Sequence, residues 1–396
     1  MPMNIGFVYV HGEFGMSIRI KAMRNHLLKK GFKINDIELR AIPKQSNNAS
    51  SMPLHHWITP KFMSKLILKA LRGKQYSLFN DLLIGEQIET FQKSIKSYYI
   101  FTVGLCNEVD IMHAETHIPA YICSLVKKER NIPYVFDMHG LLVEELKQRG
   151  CSNKLLEFWN MIEKQAILDA DRVIVVSHLM KEKVHEVFNK PFSKISVIPN
   201  GSELYHRRAR YHQPIRIIYG GVFDPYERVI DFVKTAEKIP RENYEFFLMG
   251  DGFERNAILN YINNNDIYIS YLGKKNRQLS LDIFCDMHIG IAPSTNDIIR
   301  KTASPIKILD YAACGLPIVT VNVGEWSEKI KEYDCGIVVN TSDPLAFSNA
   351  IKELTDEKIW QRKADNGLMM IREECSWEKV LHPLVSLYST ELLGAL

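Results

Sequence analysis

Cysteine is scarce and unpaired in this chain of 396 residues. There are seven, at 106, 123, 151, 285, 314, 335 and 375, and no two are spaced C-x-x-C. An odd, scattered set excludes a disulfide scaffold and a structural zinc site, and it points to a reducing, cytoplasmic setting. No apolar run approaches the ~20 residues needed to cross a bilayer, so the expectation is a soluble chain or one peripheral at the inner membrane face. The first residues, MPMNIGFVYV, lack the basic region and long apolar stretch of a secretory leader and read as a short strand. Neither half has G-x-G-x-x-G after its first strand, which counts against a dinucleotide oxidoreductase. Zinc-finger spacing and an aromatic-basic RNA motif are missing too, so nucleic acid is set aside as a partner. There is no short-period repeat and no low-complexity tract.

What remains is an ordinary globular composition, 46% hydrophobic and 24% charged. Its length suits two domains at a soft prior of ~150 residues each. The net charge of +4 is unevenly spread: residues 1–100 carry 15 Lys/Arg against 6 Asp/Glu, whereas the rest is net acidic. Such asymmetry suggests an anionic partner for the N-terminal part. Short apolar runs alternate with amphipathic helical segments, the signature of α/β units with parallel sheets. Strands are predicted at 5–10, 33–39, 111–113, 134–137, 173–177 and 195–198, with helices near 17–30, 117–130 and 152–169. The polar, basic stretch 203–214 reads as a linker. A second series of strands follows at 215–219, 244–249, 267–272, 289–292, 318–321 and 336–339. Ligands of such sheets bind beyond the C-terminal ends of the strands.

Residues 60–74 form a basic amphipathic segment with Lys61, Lys65, Lys69 and Arg72 at helical spacing. It suits either a surface helix with a solvated basic face or a helix lying on anionic lipid. Co-sedimentation with anionic liposomes separates the two: on a lipid-bound helix, neutralising Lys61, Lys65 and Lys69 abolishes pelleting, and unchanged pelleting assigns them to solvent.

Several junctions carry candidate chemistry. Gly12-Glu13-Phe14-Gly15 follows the first strand and is either a flexible strand-to-helix turn or a loop whose N–H groups approach a phosphate, with Arg19 nearby. Asp137-Met138-His139-Gly140 puts a His at a strand's C-terminal end, where a neutral imidazole can hydrogen-bond a sugar hydroxyl. Asp224-Pro225-Tyr226-Glu227 reads as a capping box, and Met249-Gly250-Asp251-Gly252 as a glycine turn leading to Glu254 at a helix start. The most informative stretch is 304–317, SPIKILDYAACGLP. Ser304 is the expected N-cap, Pro305 the first helical residue and Gly315 the left-handed terminator, with Pro317 forbidding continuation. Ile306, Leu309 and Ala313 are expected on the core face, and Lys307 and Asp310 on another. A Lys in the first turn opposes the helix dipole unless an anion binds there.

Together these segments resemble glycosyltransferase family 4 (group 1), retaining enzymes of the GT-B fold. The resemblance runs in order through 12–15, 137–140, 173–177, 198–201, 249–254, 271–273, 291–294, 304–317 and Ser376-Trp377-Glu378. It implies two Rossmann-like parallel-sheet domains facing a cleft, an acceptor-side domain at 1–205 and a nucleotide-sugar domain at 206–375. A C-terminal helix, 376–396, would cross back to the first domain. It further implies transfer from a nucleotide-diphosphate sugar (UDP or GDP) to a hydroxyl acceptor, lipid-linked or anionic, with retention and without a metal or other cofactor. His139 and Asp310 would act in catalysis, His139 on the donor sugar and Asp310 on the ribose. Gly15, Arg228, Lys274, Ser304, Ile306, Lys307 and Asp310 would bind the donor. The departures are specific. Val222 and Glu227 stand where the family has an Arg and a Lys for the diphosphate, and Thr302 where it has a first Glu. Arg228, Arg300, Lys301 and Lys307 are the candidate replacements. The alternatives are a non-catalytic GT-B subunit or sugar-binding partner, and a sugar-nucleotide epimerase.

Overall fold

The computed structural model describes residues 2–10, 16–39, 95–96, 98–100 and 102–392. Segments 12–15 (with Gly15) and 60–74 lie outside them. Contacts divide the chain into two compact units, Met1–Pro199 with Leu381–Leu396, and Asn200–Val380.

The N-terminal unit holds a six-stranded parallel sheet in the order β2-β1-β3-β4-β5-β6. Its strands are β1 Asn4–Val10, β2 Lys33–Leu39, β3 Ile111–Glu115, β4 Tyr134–Met138, β5 Arg172–Val175 and β6 Ile195–Val197. Crossover helices cover both faces of such a sheet, so its central strands are continuous apolar runs rather than alternating ones. Accordingly β3 and β4 are buried at every residue.

In the C-terminal unit the order is β12-β11-β10-β7-β8-β9. The strands are β7 Ile215–Val222, β8 Tyr244–Asp251, β9 Ser270–Gly273, β10 Ile289–Ala292, β11 Ile318–Val321 and β12 Gly336–Val339. Strand β9 starts later than predicted: Asp266 takes φ 48° and Ile267 donates back to the Ile262 carbonyl at 3.1 Å, so the chain is still turning there. One core cluster gathers Phe284, Leu309, Tyr311 and Trp360, the other Phe232, Phe246, Ile289 and Phe347. The connection order reverses between β7 and β10, and this switch point is where a doubly wound sheet opens a crevice. Tyr311 ties it shut at the base. Its ring lies against Gly290, where an added Cβ would come within 2.4 Å, and its hydroxyl accepts the Gly220 N–H at 2.8 Å.

The expected linker, 203–214, packs within the C-terminal unit. Tyr205 and Ala209 donate their N–H groups to the carbonyls of Ala313 and Cys314 at 3.1 and 2.9 Å, and Ala209 is buried. The last helix of that unit is Trp377–Val380, and from Leu381 the chain belongs to the N-terminal unit, where Tyr388 is fully buried against His113. All seven cysteines are free. Among the described residues, no helix is long and apolar enough to cross a membrane.

The Gly290–Tyr311 contact is testable. Gly290→Ala overpacks the switch point and should cost about 1–3 kcal/mol in a denaturant titration; an unchanged midpoint would mean that the ring moves freely.

Candidate active site

The helix Ile306–Ala313 begins one residue later than the sequence suggests. Pro305, extended at φ −75° and ψ 114°, is the N-cap, and no side chain caps the helix. Ser304 is therefore not the cap: its hydroxyl accepts the Asn200 N–H at 3.0 Å and its carbonyl accepts Asn200 Nδ2 at 2.7 Å. The stop is as expected. Gly315 takes φ 74°, its N–H donates to Ala312 at 3.0 Å and the Leu316 N–H to Tyr311 at 2.9 Å, the paired bonds of a Schellman motif. The predicted core face is corrected too. Ile306 is only half-buried, whereas every residue from Ile308 to Ala313 is buried, Asp310 included, so the helix is covered on all sides after its first turn.

That first turn aims Lys307 at the switch point. Its Nζ lies 2.5 Å from Glu227 Oε2, 2.9 Å from the Tyr219 hydroxyl and 4.4 Å from the centre of the Tyr219 ring. Gly221 at the end of β7 leaves the room, since a Cβ there would stand 2.9 Å from Nζ. Arg300 reaches the other oxygen, NH1 to Glu227 Oε1, at 3.0 Å. Its one-turn helix, Ile298–Lys301, is held by Asp297, which accepts the Arg300 N–H at 3.2 Å. Glu227 is 3% exposed. Burial alone would raise its carboxyl, but the Arg300 and Lys307 charges hold it below the usual carboxylate range. Burial wins at Lys307, whose ammonium is pushed down despite Glu227.

The capping box expected at 224–227 does not form. Pro225–Glu227 is a single 3-10 turn, Asp224 makes no cap bond and accepts the Tyr226 hydroxyl at 2.7 Å, and Glu227 turns to the two cations instead. The helix start expected of Glu254 is present, with Glu254 as N-cap of Arg255–Asn264. Gly250, at φ 143°, does more than turn: a Cβ there would fall 1.8 Å from the Gly221 carbonyl, so β8 can close on β7 only with glycine.

Among the other candidates, Arg228 gives its guanidinium fork to Asp231 at 2.8 and 2.9 Å and does not join Lys307. Lys274 is exposed just after β9. Thr302 is buried and donates its hydroxyl to the Ile298 carbonyl at 2.8 Å. Asp310 receives a bidentate Arg277, both contacts at 2.7 Å, with the Ser202 hydroxyl at 3.5 Å. Its carboxyl is raised, by burial first, against the pull of Arg277. Sequence reasoning missed Arg277 and Tyr219. Arg277 follows Asn276, a helix-capping residue, and only that cap hinted that it begins a helix.

His139 belongs to the N-terminal unit, in a buried ion cluster at the ends of β3 and β4. Its Nε2 lies 3.0 Å from Glu115 Oε2 and 3.2 Å from Asp137 Oδ2. His113 Nε2 lies 3.3 Å from Glu115 Oε1, and its Nδ1 is 2.5 Å from the Tyr388 hydroxyl. Arg19 does not serve a phosphate. It is 1% exposed, bonds both oxygens of Asp137 at 2.7 and 2.9 Å, and reaches the carbonyls of Ile198 and Pro199, each at 3.0 Å. The neutral imidazole expected of His139 is corrected as well. Burial disfavours its charge, but the Asp137 and Glu115 carboxylates outweigh it and raise its pKa to about 9. Donor atoms of His113, Glu115 and Asp137 lie within 4.8 Å of one another, a set whose chemistry suits a divalent cation. The fixed charge of Arg19 on Asp137 opposes one there.

Two successive parallel-sheet units of doubly wound order are the architecture of a GT-B transferase. Residues 91–206 match the family described as Glycosyltransferase Family 4, and residues 214–357 the one described as Glycosyl transferases group 1. The N-acetyl-alpha-D-glucosaminyl L-malate synthase of Bacillus anthracis is 25% identical over 71% of this chain and 74% of its own. The UDP-Gal:alpha-D-GlcNAc-diphosphoundecaprenol alpha-1,3-galactosyltransferase of Escherichia coli is 24% identical over 63% and 67%. Among solved structures, the sucrose-phosphate synthase of Thermosynechococcus elongatus superposes with a TM-score of 0.73 at 18% identity, over 100% of both chains. Anabaena HepE in complex with UDP and glucose gives 0.69 at 12% identity, again over 100% of both. At these identities the structural likeness concerns the fold. The chain belongs to the group 1, family 4-like glycosyltransferases of the GT-B fold, whose retaining mechanism it fits.

The charge state of His139 has a pH signature. Its folded pKa, about 9, exceeds its ordinary 6.5, so its contribution to stability is complete below pH 6.5 and is lost as pH rises through about 9. Thermal unfolding of the free protein should therefore fall over that window, and fall less in His139→Gln. Equal slopes would mean that His139 is neutral when folded.

Proposed function

We propose that the Lys307–Arg300 pair binds the diphosphate of a nucleotide-sugar donor, and that the C-terminal unit thereby carries the leaving group of a retaining glycosyl transfer. One observation carries this reading. Two cations converge at the switch point of a doubly wound sheet, beside the start of a helix without a side-chain cap, and Arg300 Nε is buried there with no hydrogen-bond partner. The N–H groups of Ile306 and Lys307 open that helix and have no intrahelical acceptor, so they add to the pull on an anion. The replacements for Val222 and Glu227 are thus Lys307 and Arg300, not Arg228, whose fork is engaged by Asp231.

In the reaction, the bond between the anomeric carbon and the diphosphate oxygen breaks and the diphosphate leaves with the electron pair. The acceptor hydroxyl oxygen bonds the same carbon on the same face, and its proton passes to the leaving phosphate. Lys307 and Arg300 stabilise the charge that develops on the phosphate. Asp310 still has acceptor capacity for ribose hydroxyls beside Arg277, because a carboxylate accepts at about four sites. Its role on the ribose, that of His139 on the sugar, and donor contacts by Ser304 and Lys274 are part of the proposal. Relatives named for UDP-sugars make uridine the first base to test. The lipid-linked acceptor named for the Escherichia coli relative, with the basic excess of residues 1–100, supports an anionic or lipid-linked acceptor.

A thermal-shift screen against UDP, GDP and their sugars tests the reading, and no shift with any of them would overturn it. Lys307→Ala should weaken UDP or GDP binding tenfold or more, because it removes a charge-assisted contact, and should weaken it more than Asp310→Asn does. Equal or reversed effects contradict the assignment. Binding without turnover over a broad acceptor set favours the non-catalytic subunit.

A further inference from the structure

We infer that Glu227 is an internal counter-ion which the donor diphosphate must displace, so that it lowers the affinity for the nucleoside diphosphate and speeds its departure after transfer. The inference rests on the donor reading above.

Glu227 occupies donors of both cations. Lys307 has three N–H donors; one goes to Glu227 Oε2, one to the Tyr219 hydroxyl, and only one is left. Arg300 gives NH1 to Glu227 Oε1 while its Nε has no partner. The carboxylate therefore sits across both cations and holds donors that a diphosphate oxygen would use. The cluster is nearly dry, with side-chain exposures of 9% for Lys307, 11% for Arg300 and 4% for Glu227, so the competition is not screened by water. Three further polar groups bear on the same point. The Tyr219 hydroxyl donates to the Val222 carbonyl at 2.7 Å and so stays oriented toward Lys307 as an acceptor. Asp224 adds negative charge near Lys307, and Tyr311 is engaged with Gly220. Nothing in the triad supplies a third cation to Glu227 once the phosphate takes the first two. Affinity for the diphosphate is then a difference, its own contacts less those Glu227 gives up.

Such an arrangement makes Glu227 a positioning residue that acts through Lys307 and Arg300. It orients both cations in the free enzyme, which a repelling pair of charges would not do unaided. It also keeps the product from being held by two unopposed cations. The position that carries a Lys in the resembling family carries the opposite charge here, and the structure gives that exchange a consequence for turnover.

Calorimetric titration of UDP and GDP into the full chain and into Glu227→Gln tests this. Removing the competing charge should tighten binding about tenfold, the scale of one charge-assisted bond, even as the unliganded variant melts at lower temperature. Steady-state assays should show KM for the donor and kcat falling together, with stronger inhibition by the nucleoside diphosphate. A gain in affinity distinguishes this from structural damage, which only weakens binding. Glu227→Asp keeps the charge but shortens its reach and should lie between the two; if Glu227→Gln does not fold, tighter binding by Glu227→Asp alone decides in favour. Equal or weaker binding in the variants overturns the inference and leaves the donor site standing. Failure of the unaltered chain to bind either nucleotide removes the donor reading, and this inference with it.

Discussion

A parallel sheet whose order reverses between β7 and β10 is the constraint on which the rest of the C-terminal unit depends. The loops leaving these strands run to opposite sides, so the backbone cannot fill the space above their ends. Side chains fill it instead, and those that do are charged: Glu227 from the loop after β7, Arg300 from the turn after β10, and Lys307 from the next helix. Small residues make the approach feasible. Gly221 makes way for the Lys307 ammonium, Gly250 lets β8 close on β7, and Gly290 lets the Tyr311 ring bind the two central strands together.

Burying three charges is costly unless each is paired and hydrogen-bonded. The Glu227 triad meets this by sharing one carboxylate between two cations. It leaves the set net positive, and the Glu227 carboxylate beside the helix start offsets the repulsion between a first-turn Lys and the helix dipole. The N-terminal unit solves the same problem with different groups. Asp137 and Glu115 sit at the ends of central strands, Arg19 supplies the opposing charge to Asp137, and the His113 and His139 rings lie against both carboxylates. Those carboxylates raise the His139 pKa to about 9, which favours the protonated ring, a hydrogen-bond donor rather than an acceptor.

Much of the fold was legible in the sequence. Among the described residues most strands follow apolar runs bounded by polar or glycine-containing turns, because a parallel strand covered on both faces has no alternation to conceal it, whereas the edge strand β2, KINDIEL, alternates. The helix at 306–313 was legible from its punctuation, and its glycine stop is where the sequence indicated. Its start was one residue off because Ser304 found a partner in Asn200, far away in sequence, and capping rules see only neighbours. The capping box at 224–227 failed for a related reason. A local pattern that would have bonded a backbone N–H lost its Glu to two cations, and a buried carboxylate gains more from two full charges than from one backbone dipole. The 203–214 stretch looked like a linker because it is polar, yet its backbone bonds hold it to the end of the 306–313 helix.

From the sequence alone, then, came two successive α/β units, the resemblance to retaining GT-B transferases, and a short list of cations and carboxylates. These follow from local periodicity, turn chemistry and motif order, which need no knowledge of which strands are neighbours. Only the tertiary structure decided which cations meet. Arg300 and Lys307 join on Glu227, while Arg228, adjacent to Glu227 in sequence, turns away to Asp231. Pairing among charges depends on distance and burial in three dimensions. At Glu227 that put a carboxylate between two cations that the sequence could not pair.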